Sequence, residues 1–78
     1  MARLRLFAQA REAAGTGATT LEGVNVGEVL DAAVARFGPR FCAVLATSAI
    51  WLNGDPARRD TPVADTDEVA VLPPVSGG

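Results

Sequence analysis

The sequence contains no histidine, no lysine and no tyrosine, and its seven basic residues are all arginine. Arginine keeps its proton at any ordinary pH, so without histidine or lysine there is no ready general base near neutrality, which excludes much catalytic chemistry. The single cysteine, Cys42, has no partner for an internal disulfide. That agrees with a reducing compartment, and without a Cys/His cluster no transition-metal site is expected. No stretch of about 18 apolar residues is present to span a membrane, and the opening Met1-Ala2-Arg3-Leu4-Arg5 alternates instead of forming a signal-peptide core. The chain is therefore expected in the cytoplasm, with no membrane partner. A net charge of −2 without a basic stripe argues against nucleic acid. Carboxylates are the remaining acid–base groups, but 78 residues leave little room for a cleft around them. Asp65, Asp67 and Glu68 read as a solvated turn, and Arg58 and Arg59 as a solvated edge.

What is present is a hydrophobic fraction of 49%, ample for one small domain that buries ~60% of its unfolded surface. Residues 3–8 alternate, with Leu4, Leu6 and Ala8 facing one way and Arg3, Arg5 and Phe7 the other, which predicts a first strand. Residues 9–14 suit a helical turn closed by Gly15, and a second strand is expected around Thr19 to Leu21. Asn25 with Glu28 three residues on has the form of a capping box, and Val24 and Val29 stand where a hydrophobic staple would. Val26, Val29, Leu30, Ala33, Val34 and Phe37 then recur at helical spacing until Gly38-Pro39, giving the main helix. Phe41, Val44 and Leu45 repeat that spacing over a short second helix, residues 40–46, in which Cys42 is expected to be a small buried residue. Residues 49–53 make a strand that turns at Asn53-Gly54. A short returning edge containing Pro56, a turn at Asp65-Thr66-Asp67 and a last strand from Glu68 to Leu72 complete the order.

One main helix covers only one face of such a sheet, so the other face must be wet or bound to a partner. Strand parity places Phe7 and Leu72 on that uncovered face. Trp51 joins them if Ile50 and Leu52 point to the helix, whereas a one-residue slip would place it in the core; parity alone leaves both open. Phe7, Trp51 and Leu72 would then form an apolar patch of the kind that marks an interface. Two successive prolines, Pro73 and Pro74, supply no N–H and clamp φ, so the domain is expected to span residues 1–72 and the tail 73–78 to leave it extended. Pro73, Pro74, Val75 and Ser76 then lead to Gly77 and Gly78, which carry no Cβ and fit a narrow channel on another protein.

Phe7-Ala8-Gln9-Ala10-Arg11-Glu12, the helix around Leu30, Asn53-Gly54, Asp67-Glu68-Val69-Ala70 and the ending Pro73-Pro74-Val75-Ser76-Gly77-Gly78 together resemble the MoaD family, the small subunit of molybdopterin synthase, and its MoaD/ThiS sulfur-carrier relatives. The resemblance runs over nearly the whole chain. It departs at Thr66, where that family commonly has glycine in the turn. The fold it implies is α+β, a ubiquitin-like β-grasp with a mixed four- to five-stranded sheet and one main helix plus a short second helix on one face. The function it implies is that of a sulfur carrier without catalytic side chains or bound cofactor. An E1-like enzyme would use ATP to adenylate Gly78, and a sulfur source would convert it to a thiocarboxylate. The tail, with Gly77 and Gly78 at its tip, would enter the large subunit, in an assembly of two small and two large subunits, and give sulfur to cyclic pyranopterin monophosphate. Phe7, Trp51, Leu72 and residues 73–76 would contact the partner. Carriers of the ThiS type for the thiamine thiazole, carriers for cysteine or tungsten-cofactor synthesis, and ubiquitin-like modifiers joined to lysines share the diglycine ending.

Overall fold

A computed structural model describes residues 1–74. Among these the chain runs β1 (Ala2–Leu6), α1 (Ala8–Ala14), β2 (Ala18–Leu21), α2 (Val26–Phe37), α3 (Pro39–Leu45), β3 (Ala49–Leu52), β4 (Asp55–Pro56) and β5 (Glu68–Leu72). The five strands form one mixed sheet in the order β2-β1-β5-β3-β4. The central pair, β1 with β5, is parallel, and every other pair is antiparallel. A parallel pair needs a crossover, and the helices lie within that connection, against one face of the sheet. This is the α+β ubiquitin-like β-grasp.

The core follows from two periodicities meeting. Leu4 and Leu6 of β1 pair with Val69 and Val71 of β5, and Ile50 and Leu52 of β3 pair with Val71 and Val69 in turn. Leu4, Val69 and Val71 are fully buried. Against them pack Val26, Val29, Leu30 and Ala33 from the apolar stripe of α2, with Phe41 from α3 and Ala10 from α1. Burying each large side chain contributes roughly 1.5–3 kcal/mol, which is why these rows, and not the turns, decide the register.

Helix ends obey local chemistry. The Asn25 side chain accepts the Glu28 amide at 2.8 Å and caps α2. Glu28 Oε1 accepts the Val24 amide at 3.1 Å, not that of Asn25, so the reciprocal half of the capping box closes one residue further out. Val24 is 69% exposed, and the expected staple with Val29 does not form: its backbone is drawn toward residues 62–63, where Val63 donates to the Val24 carbonyl and Asn25 bridges Pro62. Gly38 separates α2 from α3 at φ 90, and Pro39 opens α3 where a missing N–H costs nothing.

Four further expectations are corrected. Strand β1 ends at Leu6, and Ala8, at φ 50 and exposed, begins α1 instead of continuing the inward row, because the chain must turn back sharply there. That makes α1 a third helix, closed as expected by Gly15 in the left-handed region. Cys42 is exposed: it lies one step, about 100°, round α3 from the inward-facing Phe41. At the end of β5 the strand's alternation persists through the prolines, so Val71 and Pro73 are buried while Leu72 and Pro74 are exposed. The chain thus stays packed at Pro73, where it was expected to leave the fold. Thr66 needs no glycine, since among the described non-glycine residues only Ala8 and Asn53 have positive φ.

Candidate functional site

The candidate site is the sheet face that the helices leave open. Its side chains are set by the same pairings, read at the intervening positions. Arg3 is level with Thr20 and Glu68, and Arg5 with Ala18 and Ala70. Ala70 is level with Trp51, and Trp51 with Pro56. Leu72 is level with Ala49, and the Phe7 amide donates to the Val71 carbonyl at 3.3 Å, which brings Phe7 beside Leu72 at the end of the parallel pair. Phe7 is 40% and Leu72 36% exposed, while Trp51, on the same face one row back, is half-buried.

The face has two halves of different chemistry. Phe7, Leu72, Ala49, Ala70, Trp51 and Pro56 give an apolar half on the side of β3 and the end of β5. The other half is a groove of about 680 Å³ along β1, β2 and the last turn of α1, lined by Arg3, Arg5 and Arg11. Arg5 joins the halves: its guanidinium stands 5.7 Å from the centre of the Phe7 ring and 3.8 Å from the Glu68 carboxylate. Among the described residues no group of histidine, cysteine, aspartate and glutamate is placed to hold a metal ion, and no helix is long and apolar enough to cross a membrane.

The root of the exit strand is held by a polar clasp. Asn53 occupies the hairpin turn at φ 51 with Gly54 at φ 87, the pair of positive values that a tight two-residue hairpin requires. Its side chain donates to Asp67 Oδ1 at 2.9 Å and accepts the Glu68 amide at 2.9 Å. Asp67 Oδ2 also accepts the Ala64 amide at 2.8 Å. That backbone hydrogen bond first, and the Asn53 amide second, hold the Asp67 carboxyl below the usual carboxylate range. The clasp ties the hairpin turn to the start of β5, in keeping with the register that the buried rows set. Sequence reading found the Asn53 turn but not its side-chain reach, for which a short sequence carries no periodic signal. Arg59, read as a solvated edge, bonds Asp31 at 2.7 Å and the Gly27 carbonyl at 3.3 Å and ties its loop to α2.

Phe7, Trp51 and Leu72 are thus brought onto one face, with Pro74 exposed at the strand's end and Pro73 turned into the chain's own interior. Val75, Ser76, Gly77 and Gly78 lie outside the described residues. Arg11 was not foreseen as part of the site; an outward Arg3-x-Arg5 pair on a strand was the available signal, but nothing local ties α1 to it.

A family model described as the ThiS family matches residues 4–78. The molybdopterin synthase sulfur carrier subunit of Chlamydomonas reinhardtii is 36% identical over 77 residues, spanning 92% of each chain. The solution structure of small archaeal modifier protein 1 from Methanosarcina acetivorans superposes with a TM-score of 0.88 at 33% identity, over 99% of this chain and 95% of that one. In a complex of subunits 1 and 2 of the molybdopterin-converting factor from Helicobacter pylori, the matching chain gives a TM-score of 0.72 at 26% identity, over 99% of this chain and 97% of that one.

Proposed function

We propose, from the premise that this chain belongs to the ThiS family of ubiquitin-like sulfur carriers, that it is the small subunit of a molybdopterin synthase, working in the cytoplasm. The Gly78 carboxylate is a poor electrophile. Attack of its oxygen on the α-phosphate of ATP, held by an E1-like enzyme, releases pyrophosphate and leaves an acyl-adenylate. A sulfur donor then displaces AMP, and the acyl carbon becomes a thiocarboxylate. Delivered into the large subunit, it yields sulfur to cyclic pyranopterin monophosphate, and water restores the carboxylate. The carrier supplies the reactive carbon and a docking face, holds no cofactor, and leaves proton transfer to its partners, in keeping with a chain that has neither histidine nor lysine. Two small and two large subunits make up the proposed assembly.

The observation that carries this reading is the open apolar patch of Phe7 and Leu72 at the end of the strand that leads to the diglycine. A partner seated there is positioned to receive the tail, and Gly77 and Gly78 are small enough to thread a narrow channel. The Chlamydomonas relative supports the molybdopterin pathway. The test is intact-mass analysis after incubation with an E1-like enzyme, ATP and a sulfur source, followed by addition of a large subunit and the pterin. One oxygen should be exchanged for sulfur at the C-terminus, and molybdopterin should form. Removing Gly77 and Gly78 should abolish both without moving the melting temperature, and transfer that survives the truncation would overturn the reading.

A second reading, a ubiquitin-like modifier joined through Gly78 to lysines of other proteins, is favoured by the likeness to small archaeal modifier protein 1. Covalent adducts on unrelated proteins, in place of pterin sulfuration, would decide for it.

A further inference from the structure

The apolar half of the open face has a place in sulfur transfer; the arginine half has none so far. We propose that the groove of Arg3, Arg5 and Arg11 docks an acidic, extended segment of the acceptor's large subunit, beside the apolar patch that seats the body of the carrier. The proposal rests on the carrier function above.

Charge is the first argument. Three of the chain's seven arginines line this one groove, on a protein whose net charge is −2. The single acid lining it is Glu68, 3.8 Å from Arg5, and among the described residues Arg3 and Arg11 have no ion pair. Guanidinium groups are donors in a fixed fork that matches carboxylates, so the missing partners are anionic. Spacing is the second argument. Arg3 and Arg5 are alternate residues of one strand, with their side chains about 6.5–7 Å apart along it, the same step that separates alternate side chains of an extended peptide. A single small anion would engage one of them, whereas an extended run of carboxylates engages each in turn. Shape is the third. The groove's wall is residues 16–20, where β2 forms an edge of the sheet, and Arg11 lies close over Gly17: a Cβ there would stand 3.3 Å from Arg11 Nε. Finally, the groove is continuous with the patch, since Phe7 lines both and Arg5 stands against its ring.

Calorimetric titration of a purified molybdopterin synthase large subunit tests this, with wild type, Arg3→Glu/Arg11→Glu and the control Arg40→Glu/Arg58→Glu, across a series of salt concentrations. Both doubles change the net charge equally, but Arg40 and Arg58 lie outside the groove. The groove double should bind about tenfold or more weakly at low salt and lose much of the salt dependence, with the control within about threefold of wild type. Arg3→Gln/Arg11→Gln, which adds no negative charge, should show a smaller loss in the same direction and serves if the Glu double does not fold. Equal losses in groove and control doubles, or wild-type binding in the groove doubles, would overturn the proposal alone. A wild type that is thiocarboxylated but does not bind the large subunit would overturn the molybdopterin assignment and this proposal together.

Discussion

On β5, Val71 is fully buried and its neighbour Leu72 is 36% exposed, and the same contrast runs along β1, where Leu4 and Leu6 face the helices and Arg3 and Arg5 face away. On the covered face, the apolar side chains share one core cluster with residues of α1, α2 and α3, and removing one should leave a cavity. On the open face, Phe7 and Leu72 are exposed to water, and their removal should leave the fold as it is. Side chains of similar chemistry, one residue apart, thus meet different surroundings: Val71 the apolar core, Leu72 the open face proposed above for docking.

The comparison is broken most severely by a charge on the covered side. Val71→Glu places a carboxylate at a fully buried position in the apolar core, and should cost more than about 3 kcal/mol. A domain of this size stands on the order of 5–10 kcal/mol, so the variant should melt far lower or not fold, as circular dichroism would report. Leu72→Glu, one residue on, should stay folded within about 0.5–1 kcal/mol of wild type. On the docking proposed above, its effect falls on binding: losing the burial of one large side chain, roughly 1.5–3 kcal/mol, should weaken the large subunit's affinity by about tenfold or more. Phe7→Glu should behave in the same way. If Leu72→Glu unfolds the protein, the face is core; if it folds and binds normally, the docking surface lies elsewhere.

The contrast between faces was largely legible in the sequence, because alternation in β1 and β5 is strict and both faces carry large residues. The core of α2 was legible for the same reason, its apolar stripe recurring over three turns. What was not legible depends on residues far apart in the chain. Trp51 could be placed only once the register with Ala70 was known. The Val24 staple was overridden by backbone pairing with the loop at residues 62–63, and the inward place expected for Cys42 failed because Phe41, Val44 and Leu45 take the inward face of α3 and Cys42 lies one step off it. The arginine groove needed the chain to bring Arg11 of α1 against Gly17, just before β2, before Arg11 could join Arg3 and Arg5.

The clasp at the root of β5 offers a smaller and pH-dependent probe. Hydrogen bonds from Ala64 and Asn53 lower the Asp67 pKa in the folded chain relative to the unfolded one. By linkage, the stability they contribute is present above the ordinary carboxylate range and is lost as pH falls through the folded value. Asp67→Asn removes that titration. Melting temperatures taken from pH 7 down to about pH 2 should therefore fall less steeply for the variant, the two curves converging in acid. An unchanged acid slope would mean that the clasp does not persist in solution.

The smallest effect is expected at Cys42, and it sharpens the comparison by asking what exposure alone implies. The thiol lies at the edge of a shallow groove between α2 and α3, with Leu30, Val34, Leu45 and Ile50, on the helical side away from the open face. Being exposed, it should be alkylated by iodoacetamide in the folded protein, and Cys42→Ser should shift stability by no more than about 0.5 kcal/mol, as for surface substitutions generally. Accessibility does not make it a sulfur carrier: persulfide chemistry there would proceed on the wrong side of the sheet from the patch at the end of β5. Thiocarboxylate formation at Gly78, measured by intact mass, should be the same in Cys42→Ser as in wild type. A folded variant that no longer charges would place sulfur on the thiol before the glycine, and would move part of the function to the helix-covered side of the molecule.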